Sequence, residues 1–192
     1  MNPKSNYMKY MLFIWLFCFC YTVVVAQSAH QKNSPVIYLV RHAEKEKGND
    51  PALTDAGKKR AGDLLRVLKD KKLQRIYVTQ FRRTQMTADS LRIQLGVDTV
   101  HYQADTTGMD LLEKIKSHND KGNTILIIGH SNTLPIILKK LGVKRATPMP
   151  GDNEFDKLFI LKNMNGGEHL TVKKYGAKPL KNASETRMAP LQ

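Results

Sequence analysis

Cysteine is scarce in this sequence. The chain has 192 residues but only two cysteines, Cys18 and Cys20, and both lie in an apolar N-terminal segment. If that segment is removed, no thiol remains, so a disulfide framework, a cysteine nucleophile and a cysteine-based metal site are all excluded. The polar contexts of His101 and His118 show no metal-ligand spacing either. We therefore predict a protein that uses neither a metal nor another cofactor.

Acidic residues are also few. The chain has 17 Asp and Glu against 31 Lys and Arg, which gives a formal net charge of +14. Such an excess favours anionic partners, among them phosphorylated small molecules, nucleic acid and anionic lipid. The lysine runs lack the interleaved aromatic residues of a nucleic-acid surface, and they are most simply solvated faces. Nucleic acid is therefore not predicted as a partner.

Charged residues are absent from the stretch between Met11 and Ala26. Lys4 and Lys9 precede this apolar run, and small residues end it. The pattern is typical of a secretory signal, so we predict a signal peptide at 1–26, followed by a polar linker at 27–34. Export to the periplasm or beyond is expected, and the signal would be the chain's only membrane contact. The alternative is an uncleaved anchor, because the run is nearly long enough to span a bilayer.

The sequence shows no internal repeat. Strand-like and helical patterns alternate from residue 35 to about 141, and two strand-like runs separated by "NMNGG" follow as a hairpin. This order predicts a three-layer α/β/α sandwich with a mostly parallel central sheet. One such domain is expected over 35–175. The last stretch, 176–192, lacks apolar periodicity and is predicted to be a flexible tail.

Two helix starts carry recognisable signals. Thr54 precedes "DAGKKRAGDLLRVL" and is a suitable N-cap for that helix. In "SNTLPIILKKLG", Asn132 is the predicted cap and Pro135 falls in the first turn.

Cationic residues follow three of the predicted strands. Arg41 and His42 follow the first strand, His130 follows the buried run "TILIIG", and Arg82 and Arg83 begin the helix after "IYVT". Ligands of α/β sheets gather at the carboxyl ends of the strands, and helix N-termini favour anions. The sequence therefore predicts an anion site containing two histidines.

These residue types suit phosphoryl transfer. A neutral imidazole can attack phosphorus if arginines offset the charge of the phosphoryl oxygens, which they bind in bidentate fashion. A second histidine beside the first can stabilise the charge that develops on the transferring group. The expected intermediate is a phosphohistidine, which water then hydrolyses.

The motifs "LVRHAEK", "LTDAGKKRA", "VTQFRRTQMTA" and "IIGHSNT" resemble those of the histidine phosphatase superfamily in order and spacing. This superfamily comprises the phosphoglycerate-mutase-like proteins, including a small branch of phosphohistidine phosphatases. The resemblance covers about 35–162 and implies a phosphoglycerate-mutase-like fold. It also implies that His42 is the nucleophile, that Arg41 and Arg83 bind the phosphate, and that His130 is the second histidine.

The proton donor for the leaving group has no clear motif. Mutases and many phosphatases of the superfamily carry a glutamate or aspartate after the second arginine's helix. Here Asp105, Asp110 and Glu113 are the candidates, and Asp105 is chosen because it lies in a loop. A substrate with a good leaving group, such as a phosphoramidate, needs no dedicated acid.

The predicted function is an exported, metal-independent phosphatase that hydrolyses phosphomonoesters or phosphoramidates through His42. Its substrate would be a phosphorylated small molecule or an envelope component. A phosphoglycerate-mutase-type transferase and a non-catalytic phosphate-binding protein remain the alternatives.

Overall fold

The computed structural model describes residues 35–145, 147, 150–164 and 167–177. The predicted signal peptide, the predicted linker and residues 178–192 of the predicted tail lie outside the described residues. Within the described ranges, no helix combines the length and the hydropathy that a membrane span requires.

A six-stranded mixed sheet forms the centre of the described structure. Its strands are β1 (Val36–Arg41), β2 (Arg75–Thr79), β3 (Thr99–Tyr102), β4 (Ile125–Gly129), β5 (Lys157–Met164) and β6 (Gly167–Lys174). They lie in the order β3-β2-β4-β1-β5-β6. The first four strands in that order pair in parallel, and β5 and β6 extend the sheet as an antiparallel hairpin.

Helices cover both faces of the sheet. Those of the described residues are α1 (Asp55–Leu68), α2 (Arg82–Leu95), α3 (Met109–Ser117) and α4 (Leu134–Lys140), with a 3-10 turn at Asp120–Gly122. One apolar cluster joins α1 and α2 to one face of the sheet, and a second joins α3 and α4 to the other. The predicted three-layer α/β/α sandwich with a mostly parallel sheet is confirmed.

Burial explains the sequence pattern of the central strands. All five residues of β4, which has strands on both sides and helices on both faces, are buried. A strand in that position is apolar along its whole length because neither face meets water. The run "ILIIG" therefore shows no alternation of polar and apolar residues.

Of the two predicted helix caps, one is confirmed and the other is wrong. The Thr54 hydroxyl accepts the N–H of Gly57 at 3.1 Å, so this prediction is confirmed. The Asn132 prediction is wrong, because α4 begins at Leu134 and Thr133 holds the cap position. Instead of capping the helix, the Thr133 hydroxyl hydrogen-bonds to the backbone of His130. Pro135 lies in the first turn, as predicted.

Candidate active site

The sheet brings the two predicted histidines together. Strands β1 and β4 are neighbours, Arg41 lies opposite Gly129, and His42 donates its backbone N–H to the Gly129 carbonyl at 3.0 Å. The rings of His42 and His130 lie 5.3 Å apart between centroids. Both side chains are buried, with relative exposures of 3% and 7%. Two imidazoles thus meet in one pocket at the carboxyl edge of the sheet.

The contacts of His42 fix its tautomer. Nδ1 lies 2.8 Å from the carbonyl oxygen of Ala43, and a carbonyl only accepts, so Nδ1 carries the proton. The Nε2 lone pair is then available. Burial lowers the pKa of His42 to about 3; the Ala43 hydrogen bond opposes this shift, and His130 and the nearby arginines reinforce it. At neutral pH the ring is therefore uncharged, as a nucleophile must be.

The loop that carries His42 is fixed to two helices. Ala43 donates its N–H to the Thr87 hydroxyl of α2 at 3.0 Å. Glu44 forms an ion pair of 2.7 Å with Arg60, a buried residue of α1. A Cβ on Gly57 would lie 2.1 Å from the Glu44 carbonyl oxygen, so only glycine allows α1 to pack this closely. These contacts hold the backbone of His42 rigid.

Arg41 is held by a segment distant in sequence. Its Nη1 donates to the carbonyls of Gly151 and Asp152 at 2.8 and 3.0 Å, and its guanidinium lies 4.2 Å from the ring centroid of Phe155. Its Nε is buried and has no hydrogen-bond partner among the residues that the structure describes. Sequence reasoning missed this segment, because nothing in "GDNEFD" indicates that it returns to the end of β1.

The side chains of Arg83 and Arg82 lie in different environments. The guanidinium of Arg83 lies 4.2 Å from the ring centroid of Phe81 and 3.7 Å from a carboxylate oxygen of Asp50, and its Nε is buried without a partner. Arg82 is exposed, and its backbone N–H donates to Asp50 at 3.0 Å. Arg83 is thus the one with a buried donor, which agrees with the arginine that the family resemblance selects.

A pair of hydroxyls orients His130. Its Nε2 lies 3.1 Å from the Thr79 hydroxyl, which in turn lies 2.9 Å from the Thr84 hydroxyl. Thr79 and Thr84 are fully buried, so this pair is rigid. Sequence reasoning missed Thr79, although its position at the end of β2 was a signal, since strand ends line the pocket.

The electrostatic environment of His130 is similar to that of His42. Burial, together with the positive charges of Arg83 and Arg41, lowers its pKa to about 4. The same two arginines act on His42. Both histidines are therefore neutral at pH 7, and the positive charge of the pocket resides on the two guanidinium groups.

Asp105 has a different environment from the one predicted for a proton donor. One of its carboxylate oxygens accepts the backbone N–H groups of Thr107 and Gly108 and the Thr107 hydroxyl, at 2.5 to 2.6 Å. These bonds, led by that of the hydroxyl, lower the pKa of Asp105, whereas a general acid needs a raised pKa. No contact recorded among the described residues joins Asp105 to either histidine. Its contacts are those of a residue that stabilises the start of α3.

We expect Asp105→Asn to change the rate of ester hydrolysis by less than about threefold, because asparagine keeps the accepting oxygen and a dedicated acid contributes 10²–10⁴-fold. The measurement is kcat on a phosphate ester with a poor leaving group. Asp110→Asn is the matched control, since Asp110, in the first turn of α3, also accepts a backbone N–H, that of Gln103. A hundredfold loss confined to Asp105→Asn, in protein that unfolds at the wild-type temperature, would identify Asp105 as the acid.

No group of three or more His, Cys, Asp or Glu side chains suited to a metal ion occurs in the part of the chain that the structure describes. Metal independence stays a prediction to be tested by experiment.

Comparison with known proteins shows a family match over part of the chain. Residues 37–111 match the model of the histidine phosphatase superfamily (branch 1), a range that includes His42 and Arg83. No curated protein matches the sequence.

Solved structures share the fold at low sequence identity. SixA of Agrobacterium tumefaciens, assigned as a phosphohistidine phosphatase, is 17% identical with a TM-score of 0.57, and the alignment covers 75% of this chain and 99% of SixA. YhfR of Bacillus stearothermophilus is 18% identical with a TM-score of 0.55, over 73% of this chain and 96% of YhfR.

A mycobacterial glucosyl-3-phosphoglycerate phosphatase in complex with VO3 is 12% identical with a TM-score of 0.55. The alignment covers 75% of this chain and 100% of the phosphatase chain. The sequence match over residues 37–111 and the shared fold confirm the resemblance that the motifs indicated: this part of the chain is similar to the histidine phosphatase superfamily, and the similarity supports a phosphatase.

Proposed function

We propose that this chain hydrolyses phosphomonoesters or phosphoramidates through a phosphohistidine on His42, without a metal ion. One observation carries the proposal. A buried, neutral imidazole with a free Nε2 lone pair lies in the electrostatic field of two arginines, and each arginine has a buried Nε with no partner. Buried donors without partners are costly, so a site that contains two of them is suited to an anion.

The first chemical step is attack by His42. Its Nε2 forms a bond to phosphorus as the bond from phosphorus to the leaving group breaks, and the ring becomes cationic. Nδ1–H continues to donate to the Ala43 carbonyl, which stabilises that charge. Arg41 and Arg83 neutralise the phosphoryl oxygens, and the His130 ring lies beside the His42 ring that receives the phosphoryl group. The leaving group takes a proton from solvent or departs already protonated.

Hydrolysis completes the cycle. Water attacks phosphorus in line, the bond between nitrogen and phosphorus breaks, and orthophosphate leaves. The water proton passes to solvent, and His42 returns to its neutral Nδ1–H tautomer. His42 and His130 need no metal for this chemistry, because the two guanidinium groups supply the positive charge.

The contacts of Asp105 favour substrates whose leaving group departs without strong acid assistance. We propose a phosphoramidate or an activated ester, carried by a phosphorylated small molecule or an envelope component. The similarity to SixA supports a phosphoramidate, because SixA is assigned as a phosphohistidine phosphatase. The similarity to the mycobacterial glucosyl-3-phosphoglycerate phosphatase supports a sugar-linked phosphate ester.

Turnover of a chromogenic phosphate ester by the purified chain tests the proposal. We expect turnover, and we expect it to survive an excess of a strong chelator, because arginines rather than a metal carry the charge. The measurement is the hydrolysis rate before and after chelation. Loss on chelation that a divalent ion restores would overturn the metal-independent mechanism.

We also propose export. The support is the uncharged run that follows Lys4 and Lys9 and ends in small residues. N-terminal sequencing of protein from the native host is expected to begin near Gln27. An intact Met1 terminus on protein from the soluble cytoplasm would contradict the proposal, and an intact terminus on membrane-bound protein would establish the uncleaved anchor.

A further inference from the structure

Four aromatic rings form a row through the site, and an arginine lies against each end of it. Phe155 lies 6.0 Å from His42, His42 lies 5.3 Å from His130, and Phe81 lies edge-on to His130 at 5.4 Å, all between centroids. Arg41 covers the Phe155 ring at 4.2 Å, and Arg83 covers the Phe81 ring at the same distance. We name these two contacts the arginine–phenylalanine stacks.

A guanidinium group stacks well on an aromatic face because it is planar and weakly hydrated. A guanidinium that packs with its face on a ring keeps its in-plane N–H groups available for hydrogen bonds. A carboxylate partner would bind those same N–H groups and cancel the charge. A phenylalanine thus orients an arginine without competing with the oxygens of a phosphate.

The remaining contacts of the two arginines agree with this arrangement. Within the described ranges, Arg41 donates hydrogen bonds from Nη1 to the carbonyls of Gly151 and Asp152, and its buried Nε has no partner there. For Arg83, the Asp50 carboxylate lies at 3.7 Å, beyond hydrogen-bond length, and its Nε is likewise buried without a partner. The stacks are therefore close contacts beside which the two Nε donors keep no protein partner among the described residues.

Phe155 is itself held in place. Just before it, Glu154 accepts the N–H of Gly151 at 2.8 Å and pairs with Lys157 at 2.7 Å. Just after it, the carbonyl of Asp156 accepts the N–H of Tyr175 at 2.9 Å. The ring is thus supported on both sides by backbone that is tied to the hairpin of β5 and β6. Phe81 is supported by the Thr84 hydroxyl, which donates to its carbonyl at 2.8 Å.

We propose that Phe81 and Phe155 are positioning residues that hold Arg83 and Arg41 in the orientation that binds the phosphoryl group. The proposal rests on the proposed function and deepens it. It assigns part of the phosphate affinity to two apolar side chains that act through the arginines on which they pack.

Titration of the full chain with orthophosphate tests the proposal. Phe155→Leu and Phe81→Leu keep an apolar side chain but lose the aromatic face, and each is expected to weaken phosphate binding roughly five- to thirtyfold. Phe155→Tyr and Phe81→Tyr keep the face and are expected to bind within about twofold of the wild type. In steady-state turnover, the leucine variants should raise KM more than they lower kcat.

Phe159 provides the matched control. It is a buried residue of β5 that packs in the apolar cluster with α3 and α4, away from the two stacks. Phe159→Leu should lower the unfolding temperature and leave phosphate affinity unchanged. An equal loss of phosphate affinity in Phe159→Leu would show a general packing effect and overturn the proposal.

Two further outcomes separate this inference from the proposed function. If the wild type binds orthophosphate and the leucine variants bind it equally well, or if leucine and tyrosine variants weaken it equally, the stacks have no positioning role, while the proposed function stands. If the wild type neither binds orthophosphate nor hydrolyses a phosphate ester, the proposed function fails and the inference fails with it.

Discussion

Replacing His42 by alanine is expected to abolish hydrolysis, with a loss of at least about a thousandfold in kcat, because the variant has no group that can accept the phosphoryl moiety. His130 cannot replace it. Its Nε2 is engaged by the Thr79 hydroxyl, whereas the Nε2 of His42 is free to attack. The measurement is steady-state turnover of a chromogenic phosphate ester.

The control for this variant is His101→Ala, which removes an exposed histidine of β3. It should retain wild-type turnover. Thermal unfolding should show that the His42 variant is folded, since the neighbouring backbone contacts of Ala43 and Glu44 remain. Hydrolysis near the wild-type rate in the His42 variant would exclude the proposed nucleophile.

Arg83→Ala is expected to cost roughly 3 kcal/mol of transition-state stabilisation, or about a hundredfold or more in rate, as for removal of one preorganised donor. The reason is that Arg83 has a buried Nε without a partner among the described residues, and its positive charge is close enough to His130 to lower the pKa of that residue. The measurement is kcat/KM, with phosphate inhibition as a second readout.

Arg82→Ala is the matched control, because only the backbone N–H of Arg82 bonds to Asp50 and that bond survives the substitution. It should lower the rate by less than about threefold. A critical Arg82 beside a dispensable Arg83 would show that the assignment of the second phosphate-binding arginine is wrong.

The parts of the site that follow regular strands could be predicted from the sequence. His42 and His130 come directly after apolar runs, and parallel strands end at one edge, so their meeting follows from two local patterns and one rule of α/β sheets. Choosing Arg83 required more than a local pattern, because "RR" at a helix start does not indicate which arginine faces inward. The family motif made that choice.

The remaining parts depend on tertiary contacts. The Arg41 site is completed by a segment about 110 residues further along the chain, and no local pattern records that return. Asp105 looks the same in sequence whether it stabilises a helix start or donates a proton, since both roles need an acid in a loop. Thr133 similarly turns toward the backbone of His130, so the helix cap moved one residue from the predicted Asn132.

The most direct test of the central claim is to trap the phosphoenzyme. Wild-type chain mixed with a labelled phosphate ester and quenched in alkali within milliseconds should carry phosphate that is stable in base and labile in acid, as a nitrogen–phosphorus bond requires. Peptide mapping should place it on His42, and the His42→Ala variant should carry none. Turnover without any such species, or a label on another residue, would contradict the mechanism.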